Sequence, residues 1–244
     1  MPRNFTKGAG KTKKSFFCVI THTPTNKFIK PENAFYITAA ETAVSDYSLF
    51  KGADHAVIVT ADGKELPVTS ILGANDMYDV IKFQTTVDKK TEALQPASQG
   101  AKVGETVYLL PYSTQKAATG QNGTVARVDT IDSSFYYTLN MQTTEKTVSC
   151  PVMNGNGEVI GLIQKNADAE SKESYAIGIG YAQGLSINAL SGNDYTLNSI
   201  GIKKGLPADE SQALVYLYVS STQQTPEEYL ALLNDFISQY PNNA

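Results

Sequence analysis

Histidine is nearly missing from this chain: only His22 and His55 occur among its 244 residues. Most acid–base and metal chemistry near neutral pH leans on imidazole, so such chemistry is confined to wherever these two residues stand. Cysteine is equally scarce. Cys18 and Cys150 lie far apart and match no metal-ligand spacing, so neither a zinc site nor a disulfide framework is expected, and both are read as buried thiols. Apolar runs such as Ala213–Val219 fall far short of the ~20 residues that cross a bilayer. No charged n-region with an apolar h-region opens the sequence, so neither a signal peptide nor membrane insertion is expected. A net charge of −4 argues against a nucleic-acid partner, because phosphate binding needs a concentrated basic face. The one basic cluster, Arg3, Lys7, Lys11, Lys13 and Lys14, sits among Gly8, Gly10 and Thr12 and reads as a solvated tail over residues 1–14. No cofactor and no metal are expected.

What is present is ample material for a core: 41% of residues are apolar and 18% charged. From Ser15 to about Gly180 short β-rich runs alternate with turn residues. Lys14–His22, Asn33–Thr38, Ala56–Thr60, Leu66–Leu72, Val80–Thr85, Thr106–Leu110, Gly123–Val128, Phe135–Met141, Val159–Gln164 and Tyr175–Ile179 all read as strands. Turns are expected at Ala61-Asp62-Gly63, at residues 119–123 and at Asn154-Gly155-Asn156-Gly157. So many short strands without a helical period between them predict a mainly β sandwich or barrel.

Beyond Gly184 the texture changes. Leu206-Pro207 followed by Asp209 and Glu210 resembles a helix start, and Thr225-Pro226-Glu227-Glu228 has the form of a capping box. Tyr229, Leu232, Leu233, Phe236, Ile237 and Tyr240 then recur at helical spacing as one apolar stripe, which Pro241 ends. Residues 191–244 are therefore read as a linker and helical hairpin, either a cap on the β domain or the first unit of a tetratricopeptide array.

Particular runs carry a resemblance. Phe35-Tyr36-Ile37-Thr38, Ser45 to Ser48, Gly52-Ala53-Asp54 and Val57-Ile58-Val59 up to Ala61-Asp62-Gly63 follow one another in a fixed register. Gly73 to Phe83, Lys102-Val103-Gly104-Glu105, Gly157-Glu158-Val159-Ile160-Gly161 and Tyr175-Ala176-Ile177 continue it. Together these resemble the trypsin-like protease fold in its bacterial high-temperature-requirement form, over roughly residues 15–190. The resemblance implies two six-stranded antiparallel barrels, with lobes of about 15–97 and 101–190, and the setting of an exported bacterial protein.

In that register the three triad places hold Ser48 for histidine, Asp79 for aspartate and, counting back from Pro151, Val148 for serine. Lys146 stands at the oxyanion glycine, so the glycine turn need not form. A triad needs a nucleophile, an imidazole to carry its proton and a carboxylate to orient that imidazole. The expectation is therefore a pseudoprotease that binds protein or peptide, in which Asp79 bonds Ser48 or backbone amides. Ser149 and Cys150 are the candidate displaced nucleophiles of the competing hydrolase reading, and each would still need a base. A register placing Glu41 at the histidine position fits the following Gly-Ala-Asp worse.

Overall fold

A computed structural model describes residues 15–25, 27, 29, 31–38, 42–86, 92–112, 120–168 and 170–243; the basic segment 1–14 and Glu41 lie outside them. Twelve strands close into two six-stranded antiparallel barrels. The first comprises β1 Phe16–His22, β2 Glu32–Tyr36, β3 Thr42–Ser45, β4 His55–Thr60, β5 Glu65–Asn75 and β6 Val80–Thr85, ordered β1-β2-β3-β6-β5-β4. The second comprises β7 Thr106–Leu109, β8 Gln121–Ile131, β9 Ser134–Asn140, β10 Pro151–Met153, β11 Val159–Ile163 and β12 Ser174–Gly178, ordered β10-β11-β12-β9-β8-β7. Five α-helices lie among the described residues: α1 Tyr47–Phe50, α2 Ile179–Gly184, α3 Tyr195–Asn198, α4 Glu210–Ser220 and α5 Pro226–Gln239.

Alternation explains why these segments are strands. In β1 the pattern places Phe17, Val19 and Thr21 fully inside, and closure removes the edges a flat sheet would expose. The fully buried Phe17, Tyr36 and Phe83 interlock inside the first barrel, with Phe17 against Tyr36 at 4.6 Å between ring centroids. A further core spans both barrels, joining Phe35, Val44 and Val80 of the first to Met153, Leu162 and Ile177 of the second. The two barrels therefore share packed side chains along one seam.

Two strands beyond those read from the sequence, β3 and β10, have only four and three residues. The turn expected at 119–123 is corrected: Gln121 to Gly123 begin β8. Gly123 is needed there for close approach, since a Cβ would meet Asn140 O at 2.6 Å.

The helical hairpin packs on the first barrel. Tyr216, Leu217, Leu232 and Phe236 join the same core as Phe17, Ile71 and Phe83, and the hydroxyl of Tyr240 donates to Pro207 O at 2.6 Å. The capping box at Thr225 and Glu228 is formed in both directions. Ile237 departs from the expected stripe: it is 48% exposed, while Leu232 and Phe236 carry the buried face. Burial of those two side chains contributes roughly 1.5–3 kcal/mol each.

Candidate functional site

The cleft side of the first barrel is built from α1 and the β5–β6 turn. Asp79 stands in that turn with φ 48, a left-handed conformation that aspartate tolerates better than most residues. Its carboxylate accepts the backbone N–H of Ser48 at 2.6 Å (Oδ1) and the Ser48 hydroxyl at 3.0 Å (Oδ2). Ser48 itself is exposed. Next to Asp79, Tyr78 O accepts from Gln164 Nε2 at 2.5 Å, so the segment after β11 passes beside the Ser48–Asp79 pair.

The facing wall is the turn from Thr144 to Cys150. A tight turn does form there without glycine. Thr147 closes it, its N–H donating to Thr144 O and its hydroxyl to the same carbonyl, both at 2.9 Å. Ser149 takes the left-handed conformation, φ 61. Asn33 of β2 pins the turn to the first barrel: its side-chain amide donates to Lys146 O at 3.0 Å and Val148 O at 2.7 Å, and its Oδ1 accepts Tyr112 N at 2.9 Å. All three bonds cross from one barrel to the other, which makes Asn33 a bracket for the cleft.

Of the residues expected at the site, Val148 is 6% exposed, and Ser149 and Cys150 are fully buried. Burial, with help from Asp46 and Glu32, pushes the Cys150 thiol well above its ordinary value. Cys18 is only half-buried rather than buried, and burial together with Glu32 raises its thiol to about 11. Both cysteines are free. His22 and His55 lie opposite one another on β1 and β4 and stack at 4.8 Å with 8° between planes. His55 Nδ1 lies 3.3 Å from Asp54 Oδ2. At Asp79 it is Ser48 that occupies the carboxylate, through both its backbone N–H and its hydroxyl.

Two residues of the site, Asp46 and Asn33, were not anticipated. Asp46, the residue before α1, is 3% exposed. Its carboxyl is held well above the ordinary range, first by burial, then by the negative charge of Asp79 and Glu32, while the Ser149 hydroxyl and Lys165 pull the other way. The Ser149 Oγ makes no ordinary hydrogen bond, yet it lies close enough to favour the Asp46 carboxylate. The sequence signal was an acid between Ser45 and Tyr47 in an otherwise buried run. Asn33 offered no signal, because its partners lie 113 and 115 residues away. Among the described residues no group of three or more His, Cys, Asp or Glu could hold a metal ion.

A double barrel with its cleft at this seam defines the trypsin-like class. The family model for the trypsin-like peptidase domain matches residues 32–162, and the chain belongs to that family. Among solved structures it is similar to the active form of the Rv3671c protease from M. tuberculosis, with 17% identity, a TM-score of 0.61, and coverage of 72% of this chain and 81% of that one. It is also similar to the HtrA-type protease AlgW solved with a tripeptide (12% identity, TM-score 0.61, 75% of this chain and 62% of that one). The serine endoprotease from Yersinia pestis gives 10% identity and a TM-score of 0.62, over 75% of this chain and 65% of that one. At these identities the likeness is one of fold. No curated protein sequence matches the chain.

Proposed function

We propose that this chain is a pseudoprotease whose inter-barrel cleft holds an extended peptide without cutting it. The observation that carries the reading is the Ser48–Asp79 pair: the carboxylate that would orient an imidazole is occupied by a serine at 2.6 and 3.0 Å. A serine hydroxyl cannot exchange protons near neutral pH as a general base must. The serine place falls on Val148, which has no nucleophilic atom. By mutational experience with triads, each such loss costs roughly 10³ to 10⁶-fold in rate.

The displaced-nucleophile alternative finds little support, since Ser149 and Cys150 are fully buried and a nucleophile must reach its substrate and a base. Peptide binding draws on what the cleft retains. Gln164, Lys165 and Asn166 run on from β11 past Tyr78, and such a segment can pair with an added strand. Among the described residues the backbone N–H groups of Lys146 and Val148 make no backbone–backbone hydrogen bond, and they are the donors we assign to a peptide carbonyl. The similar protein AlgW was solved with a tripeptide.

Treatment of the folded chain with a fluorophosphonate probe tests the reading together with a fluorescent-peptide binding screen. The expected result is no covalent label and saturable binding of extended peptides. A labelled serine, or a broad screen without a single binder, contradicts it.

A further inference from the structure

Ten large apolar side chains are exposed among the described residues, and five of them sit on the helical hairpin: Leu214, Val215 and Tyr218 on α4, Leu230 and Ile237 on α5. Helix α4 buries Ala213, Tyr216, Leu217 and Ser220 against the barrel. At 3.6 residues per turn, Leu214, Val215 and Tyr218 point the opposite way. A helix apolar on all sides is normally covered on all sides, yet the outer side of α4 faces solvent here.

The hairpin's own charges are of one sign. From Gly205 to Ala244 there is no lysine, arginine or histidine, and there are five acids: Asp209, Glu210, Glu227, Glu228 and Asp235. Asp235 is paired with Lys203, and Glu228 closes the capping box. Asp209 caps α4, and among the described residues Glu210 and Glu227 make no ion pair and flank the apolar face at its two ends. Glu210 is one turn before Leu214 on α4, and Glu227 is three residues before Leu230 on α5. Glu210 is itself only partly exposed, and its Oε1 is buried without a hydrogen-bond partner, so its other oxygen is the one offered to the surface.

We propose that the outer face of the α4–α5 hairpin docks a cationic amphipathic helix of another polypeptide. Apolar residues of the partner would cover Leu214, Val215 and Tyr218, and its basic residues would meet Glu210 and Glu227. The partner is helical because a helix surface has no spare backbone groups to offer a strand, so the partner must satisfy its own backbone. Its length follows from α4, whose 11 residues span about 16 Å, three turns. A second copy of this chain is disfavoured because it would set acid against acid across the interface. Residues 1–14 carry five bases, but Pro2, Gly8 and Gly10 make that segment a poor helix. This surface is separate from the cleft and does not rest on the loss of catalysis.

The probe is a synthetic helix of about fourteen residues with leucines on one face and lysines flanking them, compared with the same helix carrying glutamates. Binding to the full chain is followed by fluorescence anisotropy, with Tyr218→Ser, Leu230→Ser and the pair Glu210→Lys with Glu227→Lys as variants whose melting is checked first. We expect saturable binding of the lysine helix, little of the glutamate helix, and a loss of about ten-fold or more in at least one apolar variant and in the charge-reversed pair. Equal affinity for both helices, unchanged affinity in every folded variant, or no binding at all overturns the proposal. It is equally overturned by a dimer that Tyr218→Ser dissociates, or by binding that appears only after residues 1–14 are removed.

Discussion

Asp79 accepts both the backbone N–H and the hydroxyl of Ser48, at 2.6 and 3.0 Å. One carboxylate is thereby satisfied by a single residue, and the contact works as a structural clasp between the β5–β6 turn and α1.

Replacing Asp79 separates the clasp from the backbone strain beneath it. Asp79→Ala loses a charged acceptor and forces alanine into φ 48, which together should lower stability by about 2–3 kcal/mol. Asp79→Asn keeps the left-handed preference and one acceptor oxygen, so its cost should stay near 1 kcal/mol. Urea unfolding of the two variants side by side checks the order; equal costs would mean that neither the turn conformation nor the acceptor oxygen that asparagine keeps matters.

Asp46 should make stability depend on pH in a particular direction. Its folded-state pKa is raised above the ordinary carboxyl value by burial. The unfolded chain therefore releases this proton first, and the stability linked to the group is complete below about pH 4 and falls as pH rises toward the folded-state value. Asp46→Asn removes that fall. Denaturation midpoints should show the variant gaining on the parent between pH 4.5 and pH 7.5, with little difference at the acid end; a variant that loses ground as pH rises would refute the assignment.

Asn33 should be the costliest single polar residue of the seam. Asn33→Ala leaves Lys146 O, Val148 O and Tyr112 N without their partner. At about 1 kcal/mol or more for each group left unsatisfied, the loss should be roughly 3 kcal/mol, or about 6–12 °C in melting temperature. Peptide binding in the cleft should weaken in parallel, because the 144–150 turn loses its tie to the first barrel. Calorimetry and a binding titration of the same variant test the two effects together.

The two thiols should differ in reactivity for physical reasons. Thiolate is the reactive form, and Cys18 with its pKa near 11 is almost wholly protonated at pH 8. Cys150 is in addition fully buried. Iodoacetamide on the native protein should label Cys18 slowly and leave Cys150 unmodified until the chain unfolds, as read by peptide mapping. Rapid labelling of Cys150 would reopen the thiol-nucleophile reading.

The long-range register of the β domain was legible because turn residues and alternation are local signals. Gly157 takes φ 83 in the turn before β11, and Asn154-Gly155-Asn156-Gly157 announces it. The strands β3 and β10 were hidden for equally local reasons. β3 is four residues with three buried in succession, which erases the alternation, and β10 is three residues opening on Pro151, a residue that demotes a strand assignment. In the hairpin, the spacing of Leu232, Leu233, Phe236 and Ile237 fits one stripe, but only the barrel surface decides which of them are covered; Ile237 falls outside. At the site, Ser48 and Asp79 could be paired by register alone. Asn33 and Asp46 could not, since each meets residues more than a hundred positions away, and sequence distance carries no trace of such contacts.

The most direct test of the central claim is to mix the folded chain with a library of extended peptides, isolate what the protein retains, and weigh both by mass spectrometry. The account predicts intact peptides and a protein of unchanged mass. Peptide fragments sharing a common cleaved bond, or an acyl group left on the protein, would contradict it.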